Sequence, residues 1–318
     1  MDKKYVVGID IGGTNTVFGI VDARGNVLAK SSVKTAVHQD INLYINDIYE
    51  EFLKIAKDFG GIDNIKGIGI GAPNGNYYTG NIEFAPNLIW KGIIPLSKLV
   101  SEKFGVPAVV TNDANAAAIG EMTYGAARGM KNFIIITLGT GVGSGIVIDG
   151  KLVYGHDGFA GELGHTCSVR ENGRQCGCGR KGCLETYTSA NGLARTAREF
   201  IETRKDPSLL RNIPCETITS KDVYDAAKQG DKLAIEIFEF TGKILGEALS
   251  DFVAFSAPEA IILFGGLAKS GDFILKPTVE HMEKNMLIIW KNKVKVLFSA
   301  LKEADAAILG ASALAWEV

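Results

Sequence analysis

Residues 5–31 read YVVGIDIGGTNTVFGIVDARGNVLAKS, and the path of the chain through their glycines decides the architecture. Residues 5–11 alternate like a half-buried strand. Gly12-Gly13-Thr14-Asn15 then make a tight turn into a second strand, residues 17–22. Arg24-Gly25-Asn26 turn again, into a third strand at 27–31. In a Walker loop or a dinucleotide-binding fold such glycines open a helix. Here they sit in a hairpin. The design recurs 127 residues later, with Gly12 falling on Gly139, Asp10 on Thr137 and Asp22 on Asp149. Residues 133–138 form the strand, Gly139-Thr140-Gly141-Val142-Gly143 the turn and 144–149 the returning strand; Gly150-Lys151 turn into 152–154. One glycine hairpin is common, but two at a fixed offset argue for a duplicated α/β lobe. Each copy then offers backbone N–H groups to a shared cleft, which makes a concavity for anions.

Between the two hairpins, Asp40 can cap a helix whose apolar positions Ile41, Ile45, Ile48, Phe52, Ile55 and Phe59 share one face before Gly60-Gly61 ends it. A strand at 65–70 leads into the loop Gly71-Ala72-Pro73-Asn74-Gly75, and Pro86-Asn87-Leu88-Ile89-Trp90 reads as a surface turn stapled by Trp90. Residues 106–111 form a strand, with Asn112-Asp113 at its end and an alanine-rich helix at 114–124. Asn and Asp at such a junction serve either as helix caps or as functional groups at the carboxyl end of a strand. Helices follow at 189–204, 220–229 and 231–255, a buried strand at 260–264 ends in Gly265-Gly266, a last strand covers 294–298, and a closing helix covers 304–316.

The stretch 158–187, GFAGELGHTCSVRENGRQCGCGRKGCLETY, holds four of the five cysteines, three of them closely spaced as Cys176, Cys178 and Cys183. With His165 upstream they supply three thiolates and an imidazole, the donors of a closed tetrahedral Zn2+ site. A site filled by four protein ligands has no position for substrate, so the metal reads as structural. Glu162 and Glu185 flank the cluster, and a metal there would fix both carboxylates. Elsewhere, 318 residues with 46% hydrophobic and 22% charged side chains suit a globular chain of about two domains. A formal net charge of −2 leaves no basic footprint for nucleic acid or for a membrane surface. No apolar run approaches the roughly 18 residues of a membrane span, and no signal-peptide core precedes the first strand. Cys167 and Cys215 remain as free thiols, which suits a reducing cytoplasm.

Taken together, Asp10-Ile11-Gly12-Gly13-Thr14, Thr111-Asn112-Asp113, Leu138-Gly139-Thr140-Gly141, Glu162-Leu163-Gly164-His165 and Cys176-Gly177-Cys178-Gly179 through Glu185 resemble the ROK family of bacterial sugar kinases and repressors, its glucokinases most of all. The likeness runs from the first glycine turn to the closing helix. It implies an α/β fold of two ribonuclease-H-like lobes, of the actin and hexokinase type, around a cleft where ATP and sugar meet, with a small zinc-binding loop inserted. The lobes would comprise residues 1–124 plus 299–318, and 125–298, with hinges near 123–130 and after Phe298. Asp113 matches the family's catalytic base. Asn87, Asn112, Glu162, His165 and Glu185 match its sugar ligands, and His165, Cys176, Cys178 and Cys183 its zinc ligands. Gly12, Gly13, Thr14 and Asn15, with Thr140 and Gly141, match its phosphate turns, and Gly265-Gly266 its adenosine side. Asp10 is the candidate to hold hydrated Mg2+.

The reaction so implied is ATP-dependent phosphorylation of a hexose at its primary hydroxyl, glucose to glucose 6-phosphate. N-acetylmannosamine, N-acetylglucosamine, allose and fructose stay open as alternatives, because Pro73-Asn74 stands where such glucokinases commonly carry Pro-Gly beside the sugar. A sugar-sensing repressor of the family carries an N-terminal DNA-binding extension, whereas here the first glycine turn begins within a dozen residues of Met1. A chaperone-type ATPase of the same fold has no use for the cysteine knot. The expected protein is a cytoplasmic kinase, homodimeric by resemblance, with hexose and ATP as its partners.

Overall fold

The computed structural model describes residues 3–301 and 303–317; positions 1, 2, 302 and 318 of the expected small lobe lie outside the described residues. The first half runs β1 (Tyr5–Ile11), β2 (Asn15–Asp22), β3 (Val27–Lys34), α1 (Ile41–Ala56), β4 (Ile65–Gly71), the short pair β5 (Ile82–Glu83) and β6 (Ile93–Ile94), α2 (Leu96–Phe104), β7 (Ala108–Thr111) and α3 (Asp113–Tyr124). The second runs β8 (Phe133–Leu138), β9 (Val142–Ile148), β10 (Lys151–Leu152), α4 (Glu185–Thr188), α5 (Ala190–Thr203), α6 (Ser220–Lys228), α7 (Lys232–Ser256), β11 (Ala260–Phe264), α8 (Asp272–Asn285), β12 (Lys295–Phe298) and α9 (Glu303–Leu314).

The repeated hairpin grows into a repeated sheet. Strand order is β3-β2-β1-β4-β7 in the first half and β10-β9-β8-β11-β12 in the second. In both, the first three strands form an antiparallel meander, and the last two lie parallel to the first strand. Val7, Ile9, Ile68 and Ile70 bury one core under α1 and α2, while Ile134, Ile136, Ile261 and Leu263 bury another under α7.

Each half lends its last helix to the other. Ala114 and Ala118 of α3 lie on β9, where Cβ atoms at Gly143 and Gly145 would stand 2.9 and 2.7 Å from theirs. Conversely α9 lies on β1, so close that a Cβ at Gly8 would fall 2.0 Å from the Ile308 carbonyl oxygen. The two helices meet at Gly120 and Gly310. A backbone approach of this kind is open only to glycine.

Asp40 caps α1 through the Asn42 N–H, as read from the sequence. The buried face differs in detail: Tyr44 is fully buried, whereas Ile41 and Ile55 are half-buried. Two helices are not signalled in the sequence. Among its residues α2 buries only Leu96, Val100 and Phe104 and has no side-chain cap. Inside α8 stands Pro277, ordinarily a helix breaker, whose ring packs where Gly242 of α7 has no side chain. Among the described residues no helix is long and apolar enough to cross a membrane.

Candidate functional site

The β7–α3 junction shows how Asn112 and Asp113 begin α3. Asn112 is the helix cap, its Oδ1 accepting the Ala114 N–H at 2.9 Å. Asp113 is the first helical residue, and its Oδ1 accepts the same N–H at 2.7 Å. Its second oxygen remains for other work. Water reaches Asp113, yet protein encloses the floor on which it stands. That enclosure pushes its carboxyl above the usual carboxylate range, against the stabilising Ala114 N–H. Asp10, half-buried at the end of β1, is pushed up to about 7 by burial first and by the charge of Asp113 second. Glu162 is likewise raised by burial, opposed by His165 and reinforced by Asp113 and Glu185. Four carboxylates from distant parts of the chain therefore share one electrostatic neighbourhood.

The two glycine turns border that neighbourhood. In the first, the Gly12 N–H donates to the Asn15 carbonyl at 3.0 Å, and Lys34 Nζ donates to Asn15 Oδ1 at 2.7 Å. The Asn87 carbonyl oxygen presses on this turn, 3.0 Å from where a Cβ at Gly13 would lie. In the second, Glu185 Oε2 accepts the Val142 N–H at 3.0 Å. Asn87, Thr140, Gly141 and Glu185 line a common cavity of about 350 Å³. A second cavity of about 350 Å³ opens at the carboxyl ends of β11 and β12 beside Gly265. Gly265 has φ +101° and sits against the Leu138 carbonyl, at the edge of the second turn.

The zinc ligands read from the sequence converge. One donor atom each from His165, Cys176, Cys178 and Cys183 lies within 4.8 Å of every other. Cys178 Sγ and Cys183 Sγ are 3.6 Å apart, and Cys176 Sγ is 3.7 Å from His165 Nδ1. A tetrahedron built on Zn–S and Zn–N bonds of about 2.3 and 2.05 Å has edges of roughly 3.6–3.8 Å. The donor set fits the ion. With Nδ1 turned to the thiols, Nε2 of His165 points toward Glu162 Oε2, 3.9 Å away.

The ROK family model matches residues 6–318. The chain belongs to the ROK family. A glucokinase of Halalkalibacterium halodurans is 37% identical over 286 residues, 89% of this chain and 86% of that protein. The crystal structure of a ROK family glucokinase from Streptomyces griseus, in complex with glucose and AMPPNP, superposes with a TM-score of 0.81 at 33% identity, covering 99% of this chain and 100% of that one. A xylose repressor of Caldicellulosiruptor bescii is 29% identical over 98% of this chain and 78% of its own length. The two-lobed α/β architecture is thus the ROK sugar-kinase fold.

Sequence reasoning missed two supports of this ROK site. Arg174 is 8% exposed; its guanidinium donates to the Thr186 and Gly192 carbonyls and to Thr196 Oγ1, pairs with Glu199, and lies 4.5 Å over the Tyr187 ring. It braces the cysteine loop against α5, yet an arginine in a glycine-rich loop reads as solvated. Asn76, 2% exposed, donates to the Asp157 carbonyl at 2.8 Å, while Tyr77 stacks on Tyr154 at 4.2 Å. This joins the loop after β4 to the segment leading into Glu162, a pairing with no local sequence signal.

Proposed function

We propose that this ROK protein is a glucokinase, transferring the γ-phosphoryl group of ATP to the primary hydroxyl of glucose. What carries the reading is the convergence of Asp113, Glu162 and Glu185 with both glycine turns, in a chain 37% identical to a glucokinase.

Asp113 accepts the hydroxyl proton on the carboxylate oxygen not held by Ala114, as the sugar oxygen attacks phosphorus in line. Its raised affinity for a proton makes it a stronger base than a free aspartate. The N–H groups of Gly13 and Thr14 and of Thr140 and Gly141 face the phosphates, where positioning and electrostatics carry most of the barrier lowering. Gly265-Gly266 border the adenosine side. Asn87, Asn112, Glu162, His165 Nε2 and Glu185 hold sugar hydroxyls, so that a sugar lacking one leaves a buried partner unpaired. Burial first, and the charge of Asp113 second, lift Asp10 to about 7, and a divalent cation at this carboxylate would offset both. Asp10 would hold Mg2+, which neutralises phosphate charge when bound. His165, Cys176, Cys178 and Cys183 would hold Zn2+, which keeps the loop rigid.

The small lobe comprises residues 1–124 plus 299–318 and the large lobe 125–298, a division supported by the packing of α9 on β1. A homodimer is supported by the contiguous exposed apolar run Leu287, Ile288 and Ile289, at 61%, 85% and 57% exposure. A coupled assay of ADP release over a panel of hexoses with ATP and Mg2+ tests the function. Glucose gives the highest kcat/KM. Sugar-independent or absent ADP release refutes the kinase and leaves a sugar-sensing protein.

A further inference from the structure

Beneath the first glycine turn lies a ladder of hydroxyl groups in an otherwise apolar core. Thr16, Thr35 and Tyr44 are 0%, 1% and 0% exposed. Thr16 Oγ1 lies 2.9 Å from Thr35 Oγ1 and 2.5 Å from the Tyr44 hydroxyl. The ladder is anchored to the turn, since Thr16 follows it directly in β2 and the Thr35 N–H donates to the Thr14 carbonyl at 3.0 Å. Buried hydroxyls add little net stability over apolar groups of the same shape, but they fix one geometry.

The other face of Tyr44 carries the loop of Asn87. Its ring packs 4.5 Å from that of Trp90, and Trp90 Nε1 donates to the His38 carbonyl at 3.0 Å. Trp90 ends the segment that begins at Pro86. The Asn87 carbonyl in that segment presses on Gly13. Loop and turn thus touch once at the cleft surface and are joined again below it, through one side chain.

We infer that Tyr44 is a positioning residue that couples the two substrates, so that filling the Asn87 loop with sugar sets the Gly12–Asn15 turn for the nucleotide phosphates, and the reverse. The inference rests on the assignment of those two segments to sugar and phosphate. Coupling of this kind is reciprocal and spans roughly 5- to 150-fold in affinity. The hydroxyl bond of Tyr44 to Thr16 accounts for roughly 2- to 12-fold of it, the usual net worth of one such bond.

Isothermal titration of the full-length protein with glucose and with Mg2+–AMPPNP, each alone and each in the presence of the other, measures the coupling factor. Tyr44→Phe keeps the ring on Trp90 and removes the hydroxyl; Thr16→Val removes its partner. In both variants the factor falls 2- to 12-fold relative to wild type, while the affinity for glucose alone stays within about threefold. The double variant loses no more than either single one. A merely structural hydroxyl would lower the melting temperature and leave the factor unchanged, which overturns the inference, as does a wild-type factor of one. If wild type binds neither glucose nor AMPPNP, the functional assignment itself fails and this inference with it.

Discussion

Gly141 stands where the cysteine loop meets the second glycine turn, and replacing it with alanine probes that junction directly. Its φ lies outside the left-handed region, so the backbone accepts a side chain. The added Cβ, however, would fall 2.2 Å from Glu185 Oε2, inside any real contact distance. The carboxylate must move, and the bond it accepts from the Val142 N–H at 3.0 Å breaks. Hydrogen bonds to charged groups contribute about 1.5–3 kcal/mol. At about 1.4 kcal/mol per factor of ten, kcat/KM for glucose falls roughly 10- to 150-fold. Steady-state kinetics with both substrates, beside a thermal melt to establish folding, read the loss. Pairing Gly141→Ala with Glu185→Asp withdraws the carboxylate from the methyl group and recovers part of it. A folded Gly141→Ala enzyme with unchanged kcat/KM for glucose would show that Glu185 neither holds the turn nor serves the sugar.

Other consequences are open to simpler assays. Cys178→Ser removes one of four mutually close donors, so metal content by elemental analysis and glucose affinity should fall together; lost metal with an unchanged glucose KM separates the loop from the sugar site. Asp10 binds its proton far more tightly folded, at about 7, than unfolded, at its ordinary 3.8. Between these values the native state holds more protons, so its contribution to stability, full below about pH 4, is lost as pH rises through 7. Asp10→Asn abolishes this part of the slope, seen as a flatter melting temperature from pH 4 to 8 without nucleotide; parallel curves for the two proteins contradict the assignment.

The parts of the fold legible in sequence were those with a local cause. Gly12 and Gly139, at a fixed offset within hairpins, marked the meander of both sheets, whereas the parallel strands beside each meander had no such local signal. The spacing of Cys176, Cys178 and Cys183 with His165 upstream pointed to one cluster, and the four donor atoms do converge. What stayed hidden depends on contacts remote in sequence. Pro277 is compatible with α8 only because Gly242 clears room for its ring. Tyr44 falls outside the apolar face read from the sequence, and its burial follows only from Thr16 and Trp90 closing on it. Asn112 and Asp113 were indistinguishable by residue type, since both accept the Ala114 N–H; their positions on the first turn of α3 separate them.

Turnover of Asp113→Asn tests the central claim most directly. The substitution preserves shape and the bond to Ala114 while removing the group that takes the sugar's proton. General-base assistance is worth roughly 10²–10⁴ in rate. The account predicts a kcat lower by that factor with glucose binding, measured by calorimetry, within a few-fold of wild type. A variant that phosphorylates glucose at the wild-type rate would contradict it.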